Sequence, residues 1–217
     1  MTSLFKVCAF ATTAVLSACS LVGGQHEALV QYGLTRVAAA PSEASNRSAF
    51  HPWQLVVAEP QAINPLNTAR IVVLPEAGVI EFYKGVRWRD TAPVLIQALI
   101  VQALQDSTNL QGIGTPADMR HADFTLQIDL QEFQSEYRGA KVPTVSIRFA
   151  AQLVDDNSGG VLANRIFATE QACASTDVQA VTIAFQKAVD RIAQQIVAWT
   201  VETGDTKWGE YARTPTK

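Results

Sequence analysis

The residue best suited to chemistry in this 217-residue chain is Cys19, which directly follows Leu16, Ser17 and Ala18. The small side chains of Ser17 and Ala18 let a peptidase approach the backbone. The thiol of Cys19 can then take a thioether-linked diacylglycerol. These four residues match the bacterial lipobox, so we interpret Leu16, Ser17 and Ala18 as the signal-peptidase recognition residues and Cys19 as the lipidation site.

The residues before this motif have the organisation of an export signal. Lys6 is the only side-chain charge ahead of it, and residues 7–16 carry none. Ten residues cannot cross a bilayer as a helix, which needs roughly 20, but they suit the h-region of a signal peptide. We therefore predict a lipoprotein signal peptide over residues 1–18. An ordinary signal peptide with a chance cysteine is the alternative.

The segment after Cys19 predicts where the protein is anchored. Residues 19–27 are small and polar with a glycine pair, as in a lipidated tether. Ser20 follows the lipidated cysteine, and in bacteria whose lipoproteins resemble the enteric set, Ser at this position permits sorting to the outer membrane. We expect a lipid anchor on the periplasmic face of the outer membrane.

Composition excludes several other classes of protein. The net charge is −3 and no basic run is present, which argues against nucleic-acid binding. Once Cys8 leaves with the signal and Cys19 is lipidated, Cys173 alone remains, so no internal disulfide can form. We predict that Cys173 is a small buried apolar residue rather than a reactive thiol.

Catalytic, metal and cofactor motifs are absent from the sequence. His26, His51 and His121 do not stand at zinc-ligand spacing, and the chain has no phosphate-binding loop, dinucleotide fingerprint or nucleophile elbow. The run Asp155 to Gly160 lacks the acid that closes a calcium loop and predicts a hairpin turn. We predict no catalytic residue, no metal and no cofactor, so any ATP hydrolysis must come from another chain.

The densest aromatic and charged segment is FYKGVRWRD at residues 82–90. One interpretation packs it as an aromatic strand end over the following helix, with Arg87 or Arg89 paired to Asp90. The other makes Tyr83, Arg87 and Trp88 a partner contact, because Trp, Tyr and Arg dominate interface hot spots.

Apolar periodicity predicts an α+β fold: a single domain over residues 28–203, with a mixed or mostly antiparallel sheet and two main helices packed on it. A flexible tail is expected at residues 204–217. The predicted strands are 28–36, 53–58, 70–74, 79–83, a strand from Phe124 with a bulge near Gln131–Glu132, one from Val145 to Leu153, and 161–169; the helices are 91–105 and 177–200.

The first predicted helix has no charged residue from Thr91 to Gln105, and apolar side chains cover most of its circumference. One sheet face covers only about half of a helix, so a second apolar neighbour is expected. That neighbour is either the C-terminal helix or, in a homo-oligomer, another copy of the chain. In the second case Ile100 or Val101 would lie in the contact.

The segment from Arg70 to Leu104, the motif HADFTL at residues 121–126 and the run LVDDNSGGVLANRIF resemble the ABC-type transport auxiliary lipoprotein family. The resemblance covers roughly residues 28–200. The family more often has Arg in place of His121 and Tyr in place of Phe82 or Phe124.

The resemblance implies an outer-membrane-anchored docking subunit of an ABC-type system that moves lipid or other hydrophobic compounds. The implied partners are a periplasm-spanning protein with mammalian-cell-entry domains and inner-membrane ABC transporter subunits. The alternative is a periplasmic lipid-binding carrier, which needs an apolar cavity of several hundred Å³.

The first testable prediction concerns the anchor. Cys19→Ser should abolish incorporation of labelled palmitate and leave unprocessed precursor, because a hydroxyl cannot replace the thiol in thioether formation. Cys8→Ser should label normally, because Cys8 lies inside the predicted signal. Undiminished label in Cys19→Ser would contradict the lipidation site.

Overall fold

The computed structural model describes residues 29–35 and 50–213. The predicted signal peptide, its recognition residues and Cys19 and Ser20 lie outside these ranges. In the described ranges the elements are, in chain order, β1 (Val30–Tyr32), β2 (His51–Val57), β3 (Gln61–Ala62), β4 (Val72–Leu74), β5 (Glu81–Phe82), β6 (Val86–Trp88), α1 (Ala92–Ser107), β7 (Leu110–Gly114), β8 (Phe124–Glu136), β9 (Thr144–Asp155), β10 (Gly160–Ala172) and α2 (Val178–Arg213).

β8 is the central strand of the main sheet. On one edge it pairs antiparallel with β9, and β10 follows as the outermost strand. On its other edge it pairs in succession with three parallel partners, β2, β3 and β4. β7 pairs parallel with β2, β5 forms a hairpin with β4, and β1 and β6 form a separate parallel pair. The sheet is mixed, and the α+β prediction is confirmed.

The predicted bulge in β8 is present. The register against β9 shifts between Leu130 and Glu132. Leu130 and Phe133 are both buried although three positions separate them, so the extra residue returns Phe133 to the core side. There its ring lies 5.0 Å from that of Phe185 on α2.

The uncharged helix α1 finds its second neighbour inside the same chain. It packs on α2 as well as on β2 and β7. Its side chains at Leu95, Ile96, Leu99, Ile100 and Leu104 are buried, and Val101 is half-buried. Of the two neighbours that the sequence allowed, α2 is therefore the one that covers α1. The uncharged helix gives no independent reason for self-association.

The C-terminal helix is longer than predicted. The prediction of a flexible tail from residue 204 is wrong for residues 204–213, which are helical. α2 continues without a break from Val178 to Arg213. Gly204 and Gly209 weaken this segment intrinsically, by about 1 kcal/mol each. Tertiary contacts keep it helical: Gly204 packs on the Trp53 ring, and Asp205 bonds to β2.

Both helices and the main sheet share one hydrophobic core. Its aromatic centre joins Trp88 to Phe133 and Phe185, and Trp53 meets Phe124 edge-on at 5.3 Å. Cys173 is buried as predicted, and burial raises the pKa of its thiol. Across residues 29–35 and 50–213, no helix combines the length and apolar character needed to cross a membrane.

The packing of Gly204 yields a second prediction. A Cβ at this position would lie 2.5 Å from a ring carbon of Trp53, which is fully buried and cannot move aside. Gly204→Ala should therefore lower the free energy of unfolding by about 1–3 kcal/mol, the usual cost of overpacking.

Gly209→Ala is the matched control for this prediction. Its Cβ would meet only the end of the Arg213 side chain, at 3.9 Å. The higher helix propensity of Ala should make this variant up to about 1 kcal/mol more stable. Urea unfolding of both variants measures the difference, and equal responses would contradict the contact with Trp53.

Candidate functional site

The segment from Phe82 to Asp90 is held in place by the start of the described chain. β1 pairs parallel with β6, so that Val30 lies beside Val86 and Tyr32 beside Trp88. The Val30 amide also donates to the Gly85 carbonyl at 3.1 Å. β1, the described strand nearest the predicted tether, is therefore hydrogen-bonded to the segment that contains the predicted contact residues.

Trp88 is not part of that surface. Only 1% of the residue is exposed, and its ring meets Phe185 edge-on at 5.2 Å. The prediction of Trp88 as a partner contact is wrong because its side chain is packed in the core against Phe133 of β8 and Phe185 of α2. The alternative interpretation, an aromatic strand end packed into the core, holds for this residue.

Tyr83 is half-buried, and its hydroxyl shares a 3.0 Å hydrogen bond with Ser135, a buried residue of β8. Burial is the main cause of a raised Tyr83 pKa. The side chain thus fastens the loop after β5 to the central strand, and its polar atom is already engaged. This geometry makes Tyr83 a support of the segment rather than an exposed anchor for a partner.

Arg87 is the predicted contact residue that reaches the surface. It is half-buried, and its Nε is enclosed without a hydrogen-bond partner among the described residues. Lys84 and Arg89 beside it are exposed. We call Lys84, Arg87 and Arg89 the cationic patch. The anticipated ion pair from Arg87 or Arg89 to Asp90 does not form; Asp90 accepts from the amide of Thr91 at 2.8 Å.

A polar cluster that the sequence did not indicate joins the end of α2 to β2. One oxygen of Asp205 accepts from His51 Nδ1 at 2.8 Å and from Trp53 Nε1 at 2.9 Å. The Nδ1–H tautomer follows from this geometry, and Nε2 is buried without a partner among the described residues. The sequence contains only a weak signal for this cluster, because His51 and Trp53 lie two residues apart on one strand and Asp205 is over 150 positions away.

A second contact fixes the last turn of α2. The Tyr211 hydroxyl donates a hydrogen bond to Asp155, the last residue of β9 before the turn to β10. Burial opposes the charged form of Asp155, yet hydrogen bonds from Tyr211, Ser158 and the Asn157 amide together hold its pKa below the ordinary value. The predicted hairpin turn is confirmed, and it also serves as an anchor point for the helix.

The described surface has open clefts of different character. An open cleft of about 880 Å³ is lined by residues that include Gln54, Arg120, His121, Asp123 and Asp156. A second, of about 390 Å³, lies over the outer face of the sheet beside Gln127, Asp129, Gln152 and Asn164. The linings of these two clefts are rich in amide and charged side chains, whereas a third cleft, of about 810 Å³, has a more apolar lining that includes Leu74, Pro75, Ala77 and Ala140. Residues 29–35 and 50–213 contain no group of three or more side chains placed to hold a metal ion.

Comparison with known proteins shows which family this chain belongs to. The ABC-type transport auxiliary lipoprotein component family matches residues 32–197, which is most of the described domain. The chain therefore belongs to this family, and the resemblance seen in the sequence is confirmed.

Two solved structures share the fold. Protein XCC0632 from Xanthomonas campestris is 30% identical, with a TM-score of 0.73 covering 83% of this chain and 99% of that one. The hypothetical protein CT253 from Chlamydia trachomatis is 13% identical, with a TM-score of 0.51 covering 72% and 98% of the two chains. At that identity CT253 shows the fold alone.

A sequence relative is the uncharacterized protein bll6063 from Bradyrhizobium diazoefficiens. It is 30% identical over 147 residues, covering 68% of this chain and 39% of the relative. The chain thus matches well under half the length of that protein.

The contact between Tyr211 and Asp155 yields a third prediction. Burial and the bond to Asp155 raise the Tyr211 pKa to about 12 from the ordinary 10.0. A raised folded-state pKa contributes stability that is complete below pH 10 and is lost as the pH rises through 12. Tyr211→Phe should lack this component, so the stability difference between wild type and variant should shrink from pH 9 to 12. Urea unfolding across that range measures it; a constant difference would contradict the shift.

Proposed function

We propose that this protein is the outer-membrane-anchored docking subunit of an ABC-type transport system that moves lipid or other hydrophobic compounds. The observation that carries the proposal is the family match over residues 32–197, joined to the lipobox that ends at Cys19. The family match supports a role as the auxiliary lipoprotein of an ABC-type transport system. The lipobox supplies a chemical route to membrane attachment.

The proposed partners are a periplasm-spanning protein with mammalian-cell-entry domains and inner-membrane ABC transporter subunits. The family resemblance supports them, and so does the absence of a phosphate-binding loop from the sequence, since the energy of ATP must then enter through another chain. In this scheme the protein performs no chemistry. It secures the far end of the assembly at the membrane that Ser20 selects.

The cationic patch is the proposed contact with the partner. Its three residues lie on the segment that pairs with β1, so a partner bound there would sit close to the start of the tether. The buried Trp88 and the hydrogen bond between Tyr83 and Ser135 hold the backbone that carries the patch. A backbone held in this way reduces the ordering entropy that binding costs.

The alternative of a lipid-binding carrier requires an enclosed apolar cavity, whereas the clefts reported above are open to solvent. Two of these clefts are lined mainly by amide, carboxylate and cationic side chains, and the third carries Glu76, Glu136 and Arg138 beside its apolar residues. A carrier needs an apolar cavity, and the apolar side chains here are used in one packed core.

The fourth prediction tests docking. The full-length lipoprotein, solubilised in detergent after cross-linking in its native host, should co-purify with a mammalian-cell-entry-domain protein in near-stoichiometric amount and without bound lipid. Lys84→Glu should reduce that yield about tenfold or more, because it reverses a charge in the proposed contact.

Lys141→Glu is the matched control, since Lys141 is another exposed lysine in a turn. Its yield should equal that of wild type. Stoichiometric lipid without a protein partner would favour the carrier, and equal losses in both variants would remove the cationic patch from the proposal.

The fifth prediction tests the membrane. Ser20→Asp should move the protein from the outer- to the inner-membrane fraction of a sucrose gradient in a host that follows the enteric sorting rule. Ser20→Thr should leave it in place. An unchanged Ser20→Asp distribution would contradict the role of Ser20.

A further inference from the structure

The third cleft lies between two turns at one end of the main sheet. The turn from β4 to β5 forms one wall, and the turn from β8 to β9 forms the other. β4 and β8 run parallel and pair as far as Leu74 and Glu136, so both turns leave the sheet at the same end. We call residues 75–80 and 137–143 the end turns.

The end turns expose large apolar side chains. Val79 is 41% exposed, Ile80 47% and Val142 37%. The Val79 amide donates to the Glu76 carbonyl at 3.1 Å, which closes the first of the two turns. Apolar side chains that gather at one surface, unlike scattered ones, indicate a contact with a partner or a membrane.

The described chain begins beside the end turns. The Val30 amide donates to the Gly85 carbonyl, and only five residues separate Gly85 from Ile80. At a maximum of about 3.6 Å per residue, the start of β1 therefore lies within roughly 20 Å of Ile80. Leu29 and Val30 are themselves about half exposed, so the apolar surface continues to the point where the chain enters the domain.

The length of chain before β1 keeps this end of the domain near the proposed anchor. Cys19 precedes Leu29 by ten residues, which span at most about 36 Å when fully extended. A surface held this close to the membrane has a high effective concentration there, so even a weak contact is populated. The anchoring membrane is therefore the partner that the chain itself holds beside the end turns.

We propose that the end turns contact the surface of the membrane that anchors the protein. Val79, Ile80 and Val142 insert at the boundary between lipid headgroups and acyl chains, and the third cleft opens onto the lipid surface. The inference rests on the proposed lipidation of Cys19. The contact fixes the orientation of the domain on the membrane, which a single lipid anchor does not.

The charged residues around the end turns fit an interfacial position. Glu76 and Glu81 flank the first pair of apolar side chains, Lys141 precedes Val142, and all three charged residues are exposed. Charged side chains beside an apolar surface remain hydrated among the headgroups while the apolar side chains enter the boundary. The depth of insertion is therefore limited to the ends of the two turns.

The opposite end of the sheet provides a matched control. Val161 is 53% exposed and pairs with Val154, which pairs in turn with Thr125 at the start of β8. Thr125 lies eleven residues before Glu136, or roughly 36 Å along the strand. Val161 thus exposes a similar apolar side chain to that of Ile80 at a site far from the end turns.

The full-length lipoprotein in vesicles of phosphatidylethanolamine and phosphatidylglycerol tests the contact. In a Cys173→Ala background, an environment-sensitive fluorophore is attached to Ile80→Cys, Val142→Cys or Val161→Cys. Lipids brominated on their acyl chains should quench the first two probes about twofold or more, because these side chains reach the acyl boundary. The probe at Val161→Cys should keep its fluorescence.

Mass spectrometry of the same samples reports the diacylglycerol on Cys19. Its absence would overturn the anchoring on which the contact rests. An unquenched Ile80→Cys probe on lipidated protein would overturn the contact alone, and so would equal quenching of the Ile80→Cys and Val161→Cys probes.

A substitution tests the apolar insertion itself. Ile80→Asp should reduce quenching of the Val142→Cys probe by about half or more, because a carboxylate resists transfer out of water. Val161→Asp should leave that quenching unchanged. Both substituted side chains are exposed, so unfolding temperatures should stay close to wild type. Equal quenching in the two variants would overturn the insertion of Ile80.

Discussion

The pairing of β8 on both of its edges is the constraint on which the rest of the structure depends. Along one edge it carries β9 for its full length, and along the other it carries β2, β3 and β4 one after another. A slip of one residue would turn every core side chain of β8 to solvent. The bulge between Leu130 and Glu132 resets that phase once, which allows the Phe133 ring to pack against Trp88 of β6.

Elements with a clear period were predictable from the sequence, and those without one were not. β8, β9, β10 and α1 show regular alternation or a broad apolar face, so their existence and approximate limits follow from local pattern. β3, β6 and β7 were missed because two to five residues carry no period, and all three depend on parallel partners distant in the chain. The last part of α2 was missed for a different reason: a glycine fitted against Trp53 and a carboxylate shared by His51 and Trp53 hold it, and neither leaves an apolar stripe.

The candidate contact illustrates a limit of composition as a guide. Interface hot spots and aromatic cores use the same residue types, so the composition of FYKGVRWRD was compatible with both until burial was known. The structure divides the segment. Trp88 lies in the core, Tyr83 is hydrogen-bonded to Ser135 of β8, and the cationic patch lies at the surface. The membership of a transport-auxiliary family was recoverable from motifs, because it rests on residue identities spread over the whole domain rather than on local geometry.

The parallel pairing of β1 with β6 has a mechanical consequence. In the proposed anchoring, a pull on the domain away from the membrane would be transmitted through the N-terminal end of β1, along the strand axis. The bonds from Val30 to Gly85 and from Arg89 to Tyr32 lie across that axis, so they would be loaded together in shear. A strand peeled from its end would break such bonds singly. The three paired residues of β1, together with the hydrogen bond from the Thr35 amide to Gln186 on α2, hold this strand to the folded domain. β1 therefore resists detachment when the proposed tether is under sustained tension.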